Sequence, residues 1–316
     1  MGLPSGVFCD TTDPDEHTGP SHGLIEGVPQ SLQDVLKLFA VEDVGGGSFL
    51  GPQPVDDVER VRVFGGQVVA QAMAAASRTV TDRHLHSLHV SFLRPGNPAV
   101  PLQYDVTSLR EGRTFSTRRV TTRQGDVVVM EAMVSFIVPI DNDDYQQPMP
   151  LVAAPESLPS LEEQLAPYID EGYAALVRLR LFEMRYIDPP PRVAVDAGAP
   201  DEAVCRVWLR IEAEPPPELL TDPLLAMCLL GYVSDWTILD PVQVGVGKTW
   251  QDMETMASLD HAMWFHRPVD FSDWLLYDQR SPSSIGGRGL GTGLIYNRDG
   301  QLVCTVTQEG YLGRRQ

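Results

Sequence analysis

Two polar residues set among apolar ones are the first candidates for chemistry. The run Leu224-Leu225-Ala226-Met227-Cys228-Leu229-Leu230-Gly231-Tyr232-Val233-Ser234-Asp235-Trp236 reads as a helix whose only carboxylate is Asp235. A carboxylate toward the C-terminal end of a helix opposes the dipole, and burial adds to the cost, so it needs compensating donors or a purpose. Bracing a loop is the plainer purpose; general-base work is the other. In the last strand-like run, alternation puts Leu302, Cys304, Val306 and Gln308 on one face. Gln308 thereby brings an amide, both donor and acceptor, to the interior that Asp235 borders. Ser258 opens the strand-like run Ser258–His266 and offers a hydroxyl, although alternation leaves its face open. His261 and His266 are bases by type, yet they lie with His89 in strands where packing is the commoner role.

Other chemistries find little support. There is no Gly-x-Ser-x-Gly elbow, no His-x-x-x-His and no paired cysteine ligands, which disfavours a serine or metal hydrolase and leaves activation of water. Gly286-Gly287-Arg288-Gly289-Leu290-Gly291-Thr292-Gly293 matches neither the dinucleotide nor the P-loop spacing, so close strand packing or a turn is expected there.

The elements that must hold these residues come in two sets. Ser31 with Asp34, ahead of Leu36 and Phe39, reads as a capped amphipathic helix. Val61–Gly66 leads into an alanine-rich helix, Gln67–Ala76, apolar nearly all round, which must be enclosed. Strand-like runs at His86–Leu93, Leu102–Leu109, Arg113–Thr122 and Val127–Val138 supply an antiparallel sheet to wrap it. Pro139 to about Gly172 is an acidic, proline-rich connection with a capping box at Ser160–Glu163.

The second half repeats the order, with strands at Leu179–Ile187 and Val204–Glu212, a helix over Leu224–Tyr232 and further strands. Phe92-Leu93-Arg94-Pro95 answers Phe265-His266-Arg267-Pro268 at a spacing of 173; Arg113–Thr117 answers Arg288–Thr292, and Gly125 answers Gly300, both at 175. At that last spacing Gln308 falls on Met133, and the first helix has no acid to match Asp235. An asymmetric site, polar in one repeat only, accounts for both differences.

At 316 residues the chain has room for two such units. A formal charge of -19 disfavours nucleic acid or an anionic membrane surface as partner. Any anionic substrate would need local arginines. No apolar run approaches a membrane span, and Met1–Pro20 carries Asp10, Asp13, Asp15 and Glu16 without a basic, apolar leader, so a cytoplasmic location is expected. Cys9, Cys205, Cys228 and Cys304 read as reduced thiols.

Val63-Phe64-Gly65-Gly66-Gln67-Val68-Val69, His86 through Gly96, Gly231–Asp235, Asp260–Pro268 and Gln308-Glu309-Gly310 together resemble the acyl-CoA thioesterase II family over roughly residues 28–313. The resemblance implies an α+β double hotdog, two tandem repeats each with an antiparallel sheet wrapped around a central helix. Residues 1–27 are then a flexible tail, 28–138 the first repeat, 139–172 a linker and 173–316 the repeat carrying the catalytic residues. It also implies hydrolysis of acyl-CoA to fatty acid and CoA, no cofactor and no metal, and association into homo-oligomers. The family's catalytic acid falls on Asp235, its hydroxyl on Ser258, where threonine is usual, and its glutamine on Gln308. Arg94, Arg113, Arg267 and Arg288, at matched repeat positions, are candidates to meet the CoA phosphates, each weighed against a surface salt bridge. Two other readings are a hotdog enoyl-CoA hydratase using Asp260-His261 and a non-enzymatic acyl-CoA binder.

Overall fold

In a computed structural model, residues 31–54, 62–171, 181–198, 202–253 and 255–313 are described. The tail at 1–27, Cys9, Val61, Leu179 and the C-terminal Arg314-Arg315-Gln316 lie outside them.

Along the chain run α1 (Leu32–Leu38), β1 (Glu42–Gly45), β2 (Ser48–Gly51), α2 (Gly65–Ser77), β3 (His84–Phe92), β4 (Leu102–Glu111), β5 (Phe115–Gln124) and β6 (Val127–Ile137). After α3 (Leu161–Leu165) come β7 (Phe182–Tyr186), α4 (Pro191–Asp196), β8 (Val204–Ile211), α5 (Pro217–Thr221), α6 (Pro223–Ser234) and α7 (Asp240–Val246). The chain closes with β9 (Met256–Ser258), β10 (Asp260–Phe265), β11 (Leu275–Ile285), β12 (Arg288–Asn297) and β13 (Leu302–Leu312). No described helix is long and apolar enough to cross a membrane.

The strands form one antiparallel sheet in the order β1-β2-β4-β5-β6-β3-β10-β13-β12-β11-β8-β7, with β9 added beside β13. The two halves of this order mirror each other and meet at the β3/β10 seam. There Ser91 faces Asp260, His89 faces Ala262 and Ser87 faces Trp264. His89 and Ala262 are themselves 173 residues apart, so the repeats are related by a pseudo-two-fold axis through that pair.

The alanine-rich sequence of α2 is buried on almost every side, from Gly66 through Ala76, against its own half-sheet and against α6. In the second half the expected helix, α6, packs along α2, and a further short helix, α7, lies against β8, β11 and β12. Alternating glycines of β12 admit α7 and the turn before it: a Cβ at Gly289 would sit 2.2 Å from Val242 Cγ1, and one at Gly291 2.1 Å from the Ile238 carbonyl oxygen. Gly286 and Gly287, at φ 61° and 76°, make the preceding turn. The glycine-rich motif is thus a turn followed by a packing surface, with the phosphate-loop reading set aside.

The connecting segment follows the outer face of the second half-sheet. Met149, Val152 and Leu158 cover Trp208, Trp274, Leu276, Tyr296 and Leu302 there. Its helix α3 starts with the capping box read from sequence: Ser160 Oγ accepts from Glu163 N at 3.1 Å, and Glu163 Oε2 accepts from Ser160 N at 2.7 Å.

Candidate active site

Asp235 is the residue just after α6, and the compensation its position requires comes from the other repeat. α6 runs against α2 so that its C-terminal end meets the N-terminus of α2. Phe64, the residue before α2, gives no side-chain cap, and Asp235 Oδ2 accepts the Gly66 N–H at 2.9 Å instead. The carboxylate therefore sits at the positive end of a second helix dipole. This contact explains the paired glycines. A Cβ on Gly65 would lie 2.7 Å from Asp235 Oδ2, and one on Gly66 2.3 Å from the Tyr232 carbonyl oxygen.

The other carboxylate oxygen, Oδ1, accepts from Gln308 Nε2 at 2.8 Å and from Ser258 Oγ at 3.2 Å. Gln308 Nε2 also donates to Ser258 Oγ at 2.9 Å, so both amide hydrogens are used within the site. Gln308 is fully buried, whereas Asp235 and Ser258 are half-buried. All three residues predicted from sequence are thus brought into mutual contact.

A β-bulge settles the face of Ser258. Ala262 faces Thr307, a register that would set residue 259 opposite Gly310, yet the partner of Gly310 is Ser258. The extra residue, Leu259, turns Ser258 to the inner side with Gln308. The same register puts His261 directly across from Gln308, which the sequence reading weighed as a packing residue. Its Nδ1 contacts Gln308 Oε1, and its Nε2 lies 3.0 Å from Ser234 Oγ. His266 is exposed and bonded to Thr305, away from this network.

Burial, the largest influence, raises the pKa of Asp235; attraction to His261 and the hydrogen bonds from Gln308, Gly66 and Ser258 offset it only in part. Burial likewise depresses the pKa of His261, against the opposing pull of Asp235. The resulting carboxylate is a stronger base than an exposed aspartate and is held beside a neutral imidazole.

The corresponding half of the first repeat is apolar. Register through the seam pairs Ser258 with Leu85, His261 with Leu88 and Gln308 with Val134, all buried. The last of these corrects the expectation for Met133, which is 42% exposed. The repeat spacing drops from 175 at the turns to 174 within β6 and β13, and a one-residue slip reverses the face.

Of the four candidate arginines, two are tied to equivalent backbone positions: Arg94 donates to the Val128 carbonyl at 3.1 Å and Arg267 to that of Leu302 at 2.7 Å. Arg267 also binds both Asp144 oxygens at 2.7 Å, and Arg288 pairs with Glu309 at 3.1 Å. Arg113 is exposed. A cation the sequence reading passed over, Arg62, lies half-buried within the electrostatic reach of Asp235 and donates to the Met256 carbonyl at 2.6 Å.

Comparison with known proteins agrees with this architecture. The family model described as acyl-CoA thioesterase matches residues 182–311, and that of the acyl-CoA thioesterase N-terminal domain matches residues 52–137. The chain is 36% identical to acyl-CoA thioesterase 2 of Haemophilus influenzae over 89% of its own length and 97% of the relative's. It is 33% identical to acyl-coenzyme A thioesterase 8 of Homo sapiens, covering 79% of this chain and 80% of that protein. Among solved structures, a tesB protein of Mycobacterium avium subs paratuberculosis superposes with a TM-score of 0.71 at 38% identity, covering 89% and 98% of the two chains. Acyl-CoA thioesterase II TesB2 of Mycobacterium marinum gives 0.72 at 32% identity, covering 89% and 99%. With both halves matched and the polar cluster confined to the second, the chain belongs to the acyl-CoA thioesterase family.

Proposed function

We propose that the protein hydrolyses acyl-CoA thioesters with a water activated by Asp235, aimed with the help of Ser258 and Gln308. The observation that carries this reading is the setting of Asp235: a half-buried residue whose carboxylate is fixed by three donors from two repeats, with buried leucines and a valine at the positions mirroring its partners. Asp235 takes a proton from water as that water attacks the thioester carbonyl; the C–S bond then breaks and the proton held by Asp235 passes to the departing sulfur, so CoA leaves as the thiol and the carboxylate is restored. No covalent intermediate is needed. The two Gln308 amide hydrogens are already engaged, so oxyanion stabilisation falls to first-turn N–H groups of α2 beside Gly66.

The hydratase alternative needs Asp260 and His261 to act on one substrate. They are adjacent in a strand and face opposite ways: Asp260 Oδ1 accepts the Glu309 N–H at 2.8 Å, and both His261 nitrogens are engaged within the core. Incubation with saturated and α,β-unsaturated acyl-CoA, following free thiol and loss of the conjugated double bond, tests the assignment. Thiol release from both without hydration is expected; hydration without thiol release would overturn it.

The raised pKa of Asp235 has a consequence for pH. The base form is the ionised one, so kcat/KM should rise with pH through a value above that of an ordinary aspartate, near 4. A profile between pH 4 and 8, with folding checked by circular dichroism at each pH, measures it. A plateau extending down to pH 4 would contradict the assigned base.

A further inference from the structure

His261 is fully buried, and a buried imidazole is costly unless its nitrogens are satisfied. The fold itself does not require it. At the mirrored position Leu88 is equally buried, opposite Val134 where the second repeat has Gln308. The pair is polar together in the half that holds Asp235 and apolar together in the other half. That covariation within one chain links the imidazole to the amide rather than to general packing.

The direction of each hydrogen bond follows from chemistry. Asp235 Oδ1 only accepts, so the Gln308 amide must present Nε2 to it, which points Oε1 at His261. An acceptor facing Nδ1 requires the proton there. Nε2 of the neutral ring is then an acceptor, so the Ser234 hydroxyl, which lies 3.0 Å from both Nε2 and the Gly231 carbonyl oxygen, turns its hydrogen toward the imidazole. Without a donor at Nδ1, the buried Gln308 Oε1 would be left without a partner, and the amide would gain by rotating off Asp235 and Ser258.

On the reading of Asp235 as base given above, we propose that His261 is a positioning residue: its Nδ1–H fixes the Gln308 carbonyl and so holds both amide hydrogens on Asp235 and Ser258. It touches neither water nor thioester. Its effect is on the aim and basicity of Asp235, and hence on kcat more than on KM.

Two substitutions separate this role from mere core filling. His261→Asn keeps an N–H near the Nδ1 position, whereas His261→Gln puts its donor near Nε2, toward Ser234. Both keep an amide but differ by one methylene, so melting temperatures measured in parallel separate a packing loss from a loss of kcat. With acyl-CoA as substrate, His261→Asn should stay within about five-fold of the wild-type kcat, and His261→Gln should lose about 10- to 100-fold with KM within about two-fold. In a Gln308→Ala background, His261→Gln should cost nothing further, because the two residues act as one unit. Equal kcat for the two variants, or a full additional loss on Gln308→Ala, would overturn the proposal. Wild type and Asp235→Asn run alongside distinguish the cases: an inactive wild type or an unimpaired Asp235→Asn would remove the underlying reading instead.

Discussion

Replacing Asp235 by asparagine should lower kcat by about 10³-fold while leaving KM within about three-fold. The substitution preserves shape and removes the carboxylate that the mechanism uses as its base. It also reverses one hydrogen bond, because an amide NH2 must now face either the Gly66 N–H or Gln308 Nε2, both donors. A stability loss of about 1 kcal/mol follows from that mismatch, small enough for the protein to remain folded. Thiol release in steady state, with thermal melts in parallel, measures both. Retention of more than a tenth of the wild-type kcat would remove Asp235 as the base.

Gly66→Ala should be the most damaging single methyl group in the site. Its Cβ would lie 2.3 Å from the Tyr232 carbonyl oxygen, and backbone atoms of two packed helices have nowhere to retreat. Separating α2 from α6 should cost about 3 kcal/mol, seen as a fall in melting temperature of roughly 5–10 °C. The same movement draws the Gly66 N–H away from Asp235 Oδ2, so activity should fall even well below the melting transition. A variant that melts and turns over like the wild type would show that the two helix ends do not need this contact.

Much of this was legible in the residues. Two repeats, a buried helix wrapped by strands in each, and the inward face of Gln308 followed from apolar periodicity and from matched Arg-Pro and glycine positions. Asp235 stood out because nothing near it in sequence could satisfy a carboxylate. Its anchor was not legible, since the Gly66 N–H comes from 169 residues away, through packing of α6 on α2 that periodicity does not specify. The side of Ser258 depended on a single extra residue in the strand, and the place of Met133 on a one-residue change of spacing. Local pattern carries no trace of either. His261 was legible in principle, once Thr307 is set opposite Ala262, but only after strand register is known.

The pairing of His89 with Ala262 on the pseudo-two-fold axis bears on how such a site can vary. In an assembly of two identical chains related by a true axis, every substitution appears twice, and a polar group introduced at one centre burdens the other. Here the two halves are covalently one chain with independent residues at mirrored positions. Leu85, Leu88 and Val134 can serve packing alone while Ser258, His261 and Gln308 serve chemistry, and each half-site can drift without a matching change in its twin.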